Sequence, residues 1–105
     1  MISFIHENIY NREKLKVKEV SAHFNISPTY FSNYFKPHFG ISYQEYLDNY
    51  RIALIEKRLS IGGLKLRQIA SEFGFTDVSH LSKTFRKIKG KTPKKYMNDI
   101  LNSIR

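Results

Sequence analysis

A chain of 105 residues with no cysteine has room for one modest hydrophobic core, and it excludes a disulfide framework or a cysteine-ligated zinc site. Eighteen Lys and Arg against nine Asp and Glu give a formal net charge of +9 and a pI near 9.9, which favours a polyanionic partner such as nucleic acid. The longest apolar runs are a few residues, so no segment reads as a membrane span, no export signal opens the chain, and the expected location is cytoplasmic.

In chain order, helical periodicity dominates and no strict alternation argues for strands. A first helix is expected over about residues 2–10, with Ile2, Ile5 and Ile9 on one face, and a second over about residues 17–24. Ser27-Pro28 starts a third, because serine caps free backbone N–H groups and proline at the first position gives up a donor that had no partner. Pro37 is expected to kink or end that helix in its last turn, just before Gly40. Ser42 and Glu45, spaced as a capping box, open a long helix to about residue 59 with Tyr43, Tyr46, Leu47, Tyr50 and Leu54 on its apolar side. Ile61-Gly62-Gly63 breaks it. Helices then follow at about residues 66–73, 78–89 and, after Thr92-Pro93, 93–101. The expected class is all-α, about seven helices without a sheet. The charge reads as spread along the chain rather than gathered in a basic tail.

One arrangement occurs twice. Leu15, Val17, Val20 and Phe24 recur at an offset of 49 as Leu64, Leu66, Ile69 and Phe73. Phe31, Phe35, Gly40, Ser42 and Tyr46 recur at an offset of 50 as Leu81, Phe85, Gly90, Thr92 and Tyr96. Such an internal repeat governs the whole reading. Each copy has two helices and a short turn, with Asn25 or Gly74 where a left-handed backbone is needed. Ser21 and Ala70 are small where the second helix would cross the first. This is the pattern of a helix-turn-helix.

On the second helices, Phe31, Tyr34, Phe35 and His38 fall on an inner side in the first copy, and Leu81, Thr84, Phe85 and Ile88 in the second. The outer sides hold Thr29, Ser32, Asn33 and Lys36, and Ser79, Ser82, Lys83 and Arg86. Neither outer set includes an acid. Short polar residues near the helix start let the backbone approach base edges in a major groove, and cations further along can hold phosphates.

With that register, Ile69-Ala70, Phe73-Gly74-Phe75, Leu81-Ser82, Phe85-Arg86, Gly90, Thr92-Pro93 and Tyr96 resemble the signature of the DNA-binding domain of the AraC/XylS family of bacterial transcription regulators. The resemblance covers nearly all 105 residues. It implies two helix-turn-helix subdomains, about residues 1–41 and 60–105, joined by a linker helix over about residues 42–59. It implies base-edge contacts from Thr29, Ser32 and Asn33, and from Ser79, His80 and Lys83, with Ser82 beside them on the outer face. Lys36 and Arg86 would lie toward the DNA backbone. Pro37 and the Asn25 that replaces a glycine in the first turn depart from the family pattern.

The implied partner is double-stranded DNA, with RNA polymerase as a further candidate, and the resemblance is compatible either with a sensor or dimerisation domain outside this chain or with a small stand-alone regulator. A central helix of about 18 residues spans roughly 27 Å. With the packed helices at each end, that brings the second helices near the roughly 34 Å of one DNA turn. One chain is then expected to read two adjacent, different major-groove segments of an asymmetric site.

No cofactor and no enzyme activity are expected. His6, His23, His38 and His80 lack metal-ligand spacing, and no Ser/His/Asp arrangement or phosphate-cradling glycine loop appears. His6 and His23 read as surface residues, and His38 as one that packs or caps. The rival reading is a basic helical protein-interaction module without sequence-specific DNA binding. A membrane-surface helix ranks third.

Overall fold

The computed structural model describes residues 1–63 and 65–104, the side chain of Ile104 excepted. Among them are seven helices and no strand: α1 (Ile2–Glu7), α2 (Val17–His23), α3 (Pro28–Phe39), α4 (Tyr43–Ile61), α5 (Leu66–Glu72), α6 (Val78–Lys89) and α7 (Pro93–Ile104). The expected counterpart of Leu15, Leu64, lies outside the described residues.

Helix ends follow local chemistry. α1 stops at Glu7, three residues earlier than expected, where the Asn8 side-chain amide donates to the Phe4 carbonyl at 2.8 Å and competes with the helical ladder. Ile9 is nevertheless buried. α3 does not end at Pro37; it runs on to Phe39 and closes at Gly40, whose N–H donates to the Lys36 carbonyl at 2.8 Å. The proline removes a single donor in the last turn, and left-handed Gly40, at φ 84°, supplies the stop.

Both copies close their first helix in the same way. The Ile26 N–H reaches back to the Ser21 carbonyl at 2.9 Å and the Asn25 N–H to Ala22 at 3.1 Å. Phe75 to Ala70 at 2.9 Å and Gly74 to Ser71 at 3.1 Å repeat that pair. This is the Schellman motif, and it requires a left-handed residue, supplied by Asn25 at φ 59° and Gly74 at φ 75°. Gly74→Val should therefore destabilise the second copy by more than about 1 kcal/mol, while Gly74→Asn costs less. A thermal melt unchanged by valine would contradict this account of the turn.

The chain divides into two compact units, Met1–Asp48 and Asn49–Arg105, with the boundary inside α4. In the first unit Ile5, Ile9, Leu15, Val20, Phe31, Phe35, Tyr43 and Leu47 are buried. Tyr43 meets Phe31 and Phe35 edge-on, and its hydroxyl donates to the Leu15 carbonyl at 2.6 Å, so its buried oxygen has a partner. His6 is no surface residue: half-buried, it shares a 2.8 Å hydrogen bond between Nε2 and the Tyr46 hydroxyl. His23 is exposed yet stacks on Phe4, with ring centroids 4.1 Å apart.

The second unit has its own core of Ile52, Ile55, Leu59, Ile69, Ala70, Phe73, Phe75, Leu81 and Phe85, with Leu54, Leu66, Ile88, Tyr96 and Met97 packed against it. Arg58 grips Glu72 bidentately at 2.7 and 2.6 Å, and Lys89 meets Glu56 at 2.9 Å. Hydrogen bonds from Lys91 and Lys95 hold the Asp99 carboxyl below its ordinary range.

α4 serves both units, and its buried side changes along its length. At about 100° per residue, the buried positions Tyr43, Leu47, Arg51, Ile55 and Leu59 step around the helix by about 40° each. Of the expected stripe, Tyr43 and Leu47 are buried, while Tyr46, Tyr50 and Leu54 are only half-buried.

Candidate nucleic-acid interface

α3 begins with Ser27, whose Oγ accepts the Tyr30 N–H at 3.1 Å, and with Pro28 at its first position. Two residues, Phe31 and Phe35, anchor it in the core. Asn33 lies about 180° from the midpoint of that pair, and Thr29 and Pro37 lie within about 40° of Asn33. Lys36 and Ser32 follow on one flank at about 60° and 100°. Tyr30 and Tyr34 mirror them on the other flank at about 60° and 100°. Thr29, Ser32, Asn33 and Lys36 are all exposed, as the outer side requires. Lys36 and Ser32 share a shallow groove with Ser42 and Gln44 at the start of α4.

The inner side is narrower than expected. Tyr34 is 38% exposed and His38 is exposed, so neither belongs to the core. They continue a stacked row that starts at Tyr30, which is 59% exposed. Tyr30 and Tyr34 have ring centroids 6.1 Å apart with planes 11° from parallel, and Tyr34 and His38 are 4.7 Å apart at 18°. Positions 34 and 38 sit at the edge of the core-facing arc, where a helical wheel alone does not separate packing from exposure.

α6 repeats the design. Leu81 and Phe85 anchor it; Asp77 Oδ1 accepts the His80 N–H at 2.8 Å. His80 also turns back to the cap: its Nδ1 accepts the Thr76 N–H at 3.3 Å, which leaves Nε2 as the outward donor. Its ring meets the edge of Phe75 at 5.0 Å. Ser79, His80, Lys83 and Arg86 are exposed, while Ser82 is half-buried beside the core. Exposed Lys87, absent from the outer set expected from the sequence, lies within about 40° of Lys83 on the side opposite the core. Arg67, Ser71, Thr76 and Ser79 line a shallow groove between α5 and the start of α6. No acidic residue occurs on either α3 or α6.

The charge is not spread along the chain. The first unit holds five cations, Arg12, Lys14, Lys16, Lys18 and Lys36, against five acids. The second holds thirteen against four, so the whole net charge of +9 belongs to it. Three of its four acids are occupied by Arg58, Lys89, Lys91 and Lys95, and the fourth, Asp77, caps α6. Lys83, Arg86 and Lys87 meet no acid among the described residues. Within the same limits, no cluster of His, Cys, Asp and Glu is arranged to hold a metal, and no helix is long and apolar enough to cross a membrane.

A family model described as a helix-turn-helix domain matches residues 20–99. The regulatory protein PocR of Salmonella typhimurium is 30% identical over 88 residues, 84% of this chain and 29% of PocR. The uncharacterized HTH-type transcriptional regulator YobQ of Bacillus subtilis is 27% identical over 94% of this chain and 40% of its own length. The chain thus spans well under half of these curated relatives. Among solved structures, the C-terminal domain of the response regulator yesN of Fusobacterium nucleatum aligns with a TM-score of 0.84 and 31% identity, covering 91% of this chain and 92% of that one. The C-terminal domain of AraT, a response regulator from Geobacillus stearothermophilus, gives 0.85 and 26%, covering 92% and 79%. With two capped, acid-free second helices inside the matched residues, the chain belongs to the helix-turn-helix family of AraC-type domains that bind DNA in transcription regulation.

Proposed function

We propose that one copy of this chain reads an asymmetric duplex site with both of its helix-turn-helix motifs, each laying its second helix, α3 or α6, in a major groove. The observation that supports this most is the pairing of two exposed, acid-free outer faces with different chemistry, Thr29 and Asn33 on one and Ser79 and Lys83 on the other. Asparagine suits adenine and lysine suits guanine, so the two segments differ in base sequence. Ser32, His80 and Ser82 lie nearer the groove edges, His80 offering Nε2 as a donor, and Lys36 and Arg86 take phosphates. The domain works as a binding module rather than an enzyme, in the cytoplasm where bacterial promoters are. The short share of each relative that it spans supports a sensor or dimerisation domain elsewhere in a longer protein, with RNA polymerase as the partner of the assembled regulator.

Asn33→Ala or Lys83→Ala should each cost about 1–3 kcal/mol on the preferred site and relax the preference in one segment only. Titration of each variant against the selected duplex and against single-base variants of it checks this. Equal losses on selected and random DNA would make these residues phosphate anchors. Absence of any sequence preference in the parent chain would favour the protein-interaction module.

A further inference from the structure

The two units differ in how they can hold a polyanion. In the second, Lys83, Arg86 and Lys87 project from α6 in a unit carrying all of the net charge. In the first, the charges cancel, Lys16 pairs with Glu13 at 3.0 Å, and Arg12 is half-buried. Lys36 is the one cation within α3. In place of cations α3 displays the exposed row Tyr30, Tyr34 and His38, where α6 has His80, Thr84 and Ile88. An exposed row of stacked rings is costly to leave in water, and its hydroxyl-bearing edges are suited to a surface that is part apolar and part polar.

We infer that Tyr30 and Tyr34, backed by the stacked His38, form a second DNA-contacting surface of the first unit, set against the sugar-phosphate wall of the groove that α3 enters. This rests on the proposed reading of DNA by α3. A helix about 10–12 Å across fills a major groove about 12 Å wide, so side chains about 60–100° from the base-facing line meet the walls. Lys36 and Ser32 take that position on one flank of Asn33; Tyr30 and Tyr34 take it on the other. Tyrosine hydroxyls donate to phosphate oxygens, and the rings cover sugar carbons. Contacts of this kind release few counterions, so the two tyrosines contribute affinity that salt barely weakens. The second unit, with its net charge of +9, supplies most of the salt-sensitive part of binding, and Lys36 the remainder.

The test measures affinity against salt for the whole chain, by fluorescence anisotropy, on a duplex selected from random DNA and on an unselected duplex of equal length. Combined Tyr30→Ala and Tyr34→Ala should weaken binding to the selected duplex about tenfold and leave the slope of log affinity against log salt unchanged. Combined Lys83→Gln, Arg86→Gln and Lys87→Gln should make that slope shallower by about 0.9 for each phosphate that is no longer neutralised. Tyr30→Lys with Tyr34→Lys reads the position of the row independently: lysines at the wall should steepen the slope by about 0.9 each. Unchanged affinity in the alanine pair, or an unchanged slope in the lysine pair while melting temperatures stay at the parent value, would overturn the inference and leave the row as a docking surface for another protein domain. Failure of the parent chain to prefer the selected duplex would instead sink the reading of DNA by the two helices.

Discussion

Phe85→Ala should destabilise the second unit by about 3–5 kcal/mol, the range for emptying a fully buried aromatic position. Phe85 is 0% exposed, shares with Leu81 of the same helix one core that also holds Ile52, Ile55 and Ile69, and meets Tyr96 of α7 edge-on at 5.6 Å. A small domain has only about 5–15 kcal/mol in total, so this single truncation removes a large share. The same helix presents Lys83, so its partial melting should also remove the salt-sensitive part of DNA binding. Phe85→Leu keeps most of the volume and should cost less. Urea denaturation followed by circular dichroism measures both, and an alanine variant within about 1 kcal/mol of the parent would contradict the packing described.

Ala70→Leu should cost about 1–3 kcal/mol by overpacking, the opposite error. Ala70 is 2% exposed in the same core as Leu81 and Phe85, and its carbonyl accepts the Phe75 N–H that closes the turn. A larger side chain there has to push α6 away from α5 or break the turn. The corresponding residue of the first copy, Ser21, is 1% exposed and its hydroxyl donates to the Lys18 carbonyl of its own helix at 3.1 Å. Ser21→Ala removes only that local bond and should change stability far less than Ala70→Leu. Melts of the two variants in parallel decide the matter; an Ala70→Leu protein as stable as Ser21→Ala would show that the crossing is not close.

The contrast between these two sites illustrates what is legible in the letters. Small residues at the crossing, the left-handed turn at Asn25 and Gly74, and the caps at Ser27 and Pro28 announce themselves in residue type, because each answers a local backbone need. The repeat then multiplies that evidence, and with it α3 and α6 become the helices that face a partner. The burial of α4 is harder to read. Its buried positions drift by about 40° every four residues from Tyr43 to Leu59 and include the charged Arg51, so one fixed apolar stripe does not describe it. Tyr34 and His38 fall inward by angle, yet only tertiary packing decides whether a residue at the margin of an arc is covered. His80 gives no sign in the sequence of its bond to the Thr76 N–H, which depends on the extra residue in the second turn. The charge asymmetry, by contrast, is present in the letters; it emerges once the boundary at Asp48 divides the count.

The central claim is that a single chain reads two unlike segments of DNA. Recovery of bound duplexes from a random pool by the intact chain, followed by footprinting and a measurement of stoichiometry on the recovered site, tests it most directly. The account predicts an asymmetric site with two separated submotifs and one protein per duplex, in which Asn33→Ala blurs one submotif and Lys83→Ala the other. A palindrome occupied by two chains, or a recovered pool with no sequence in common, would contradict it.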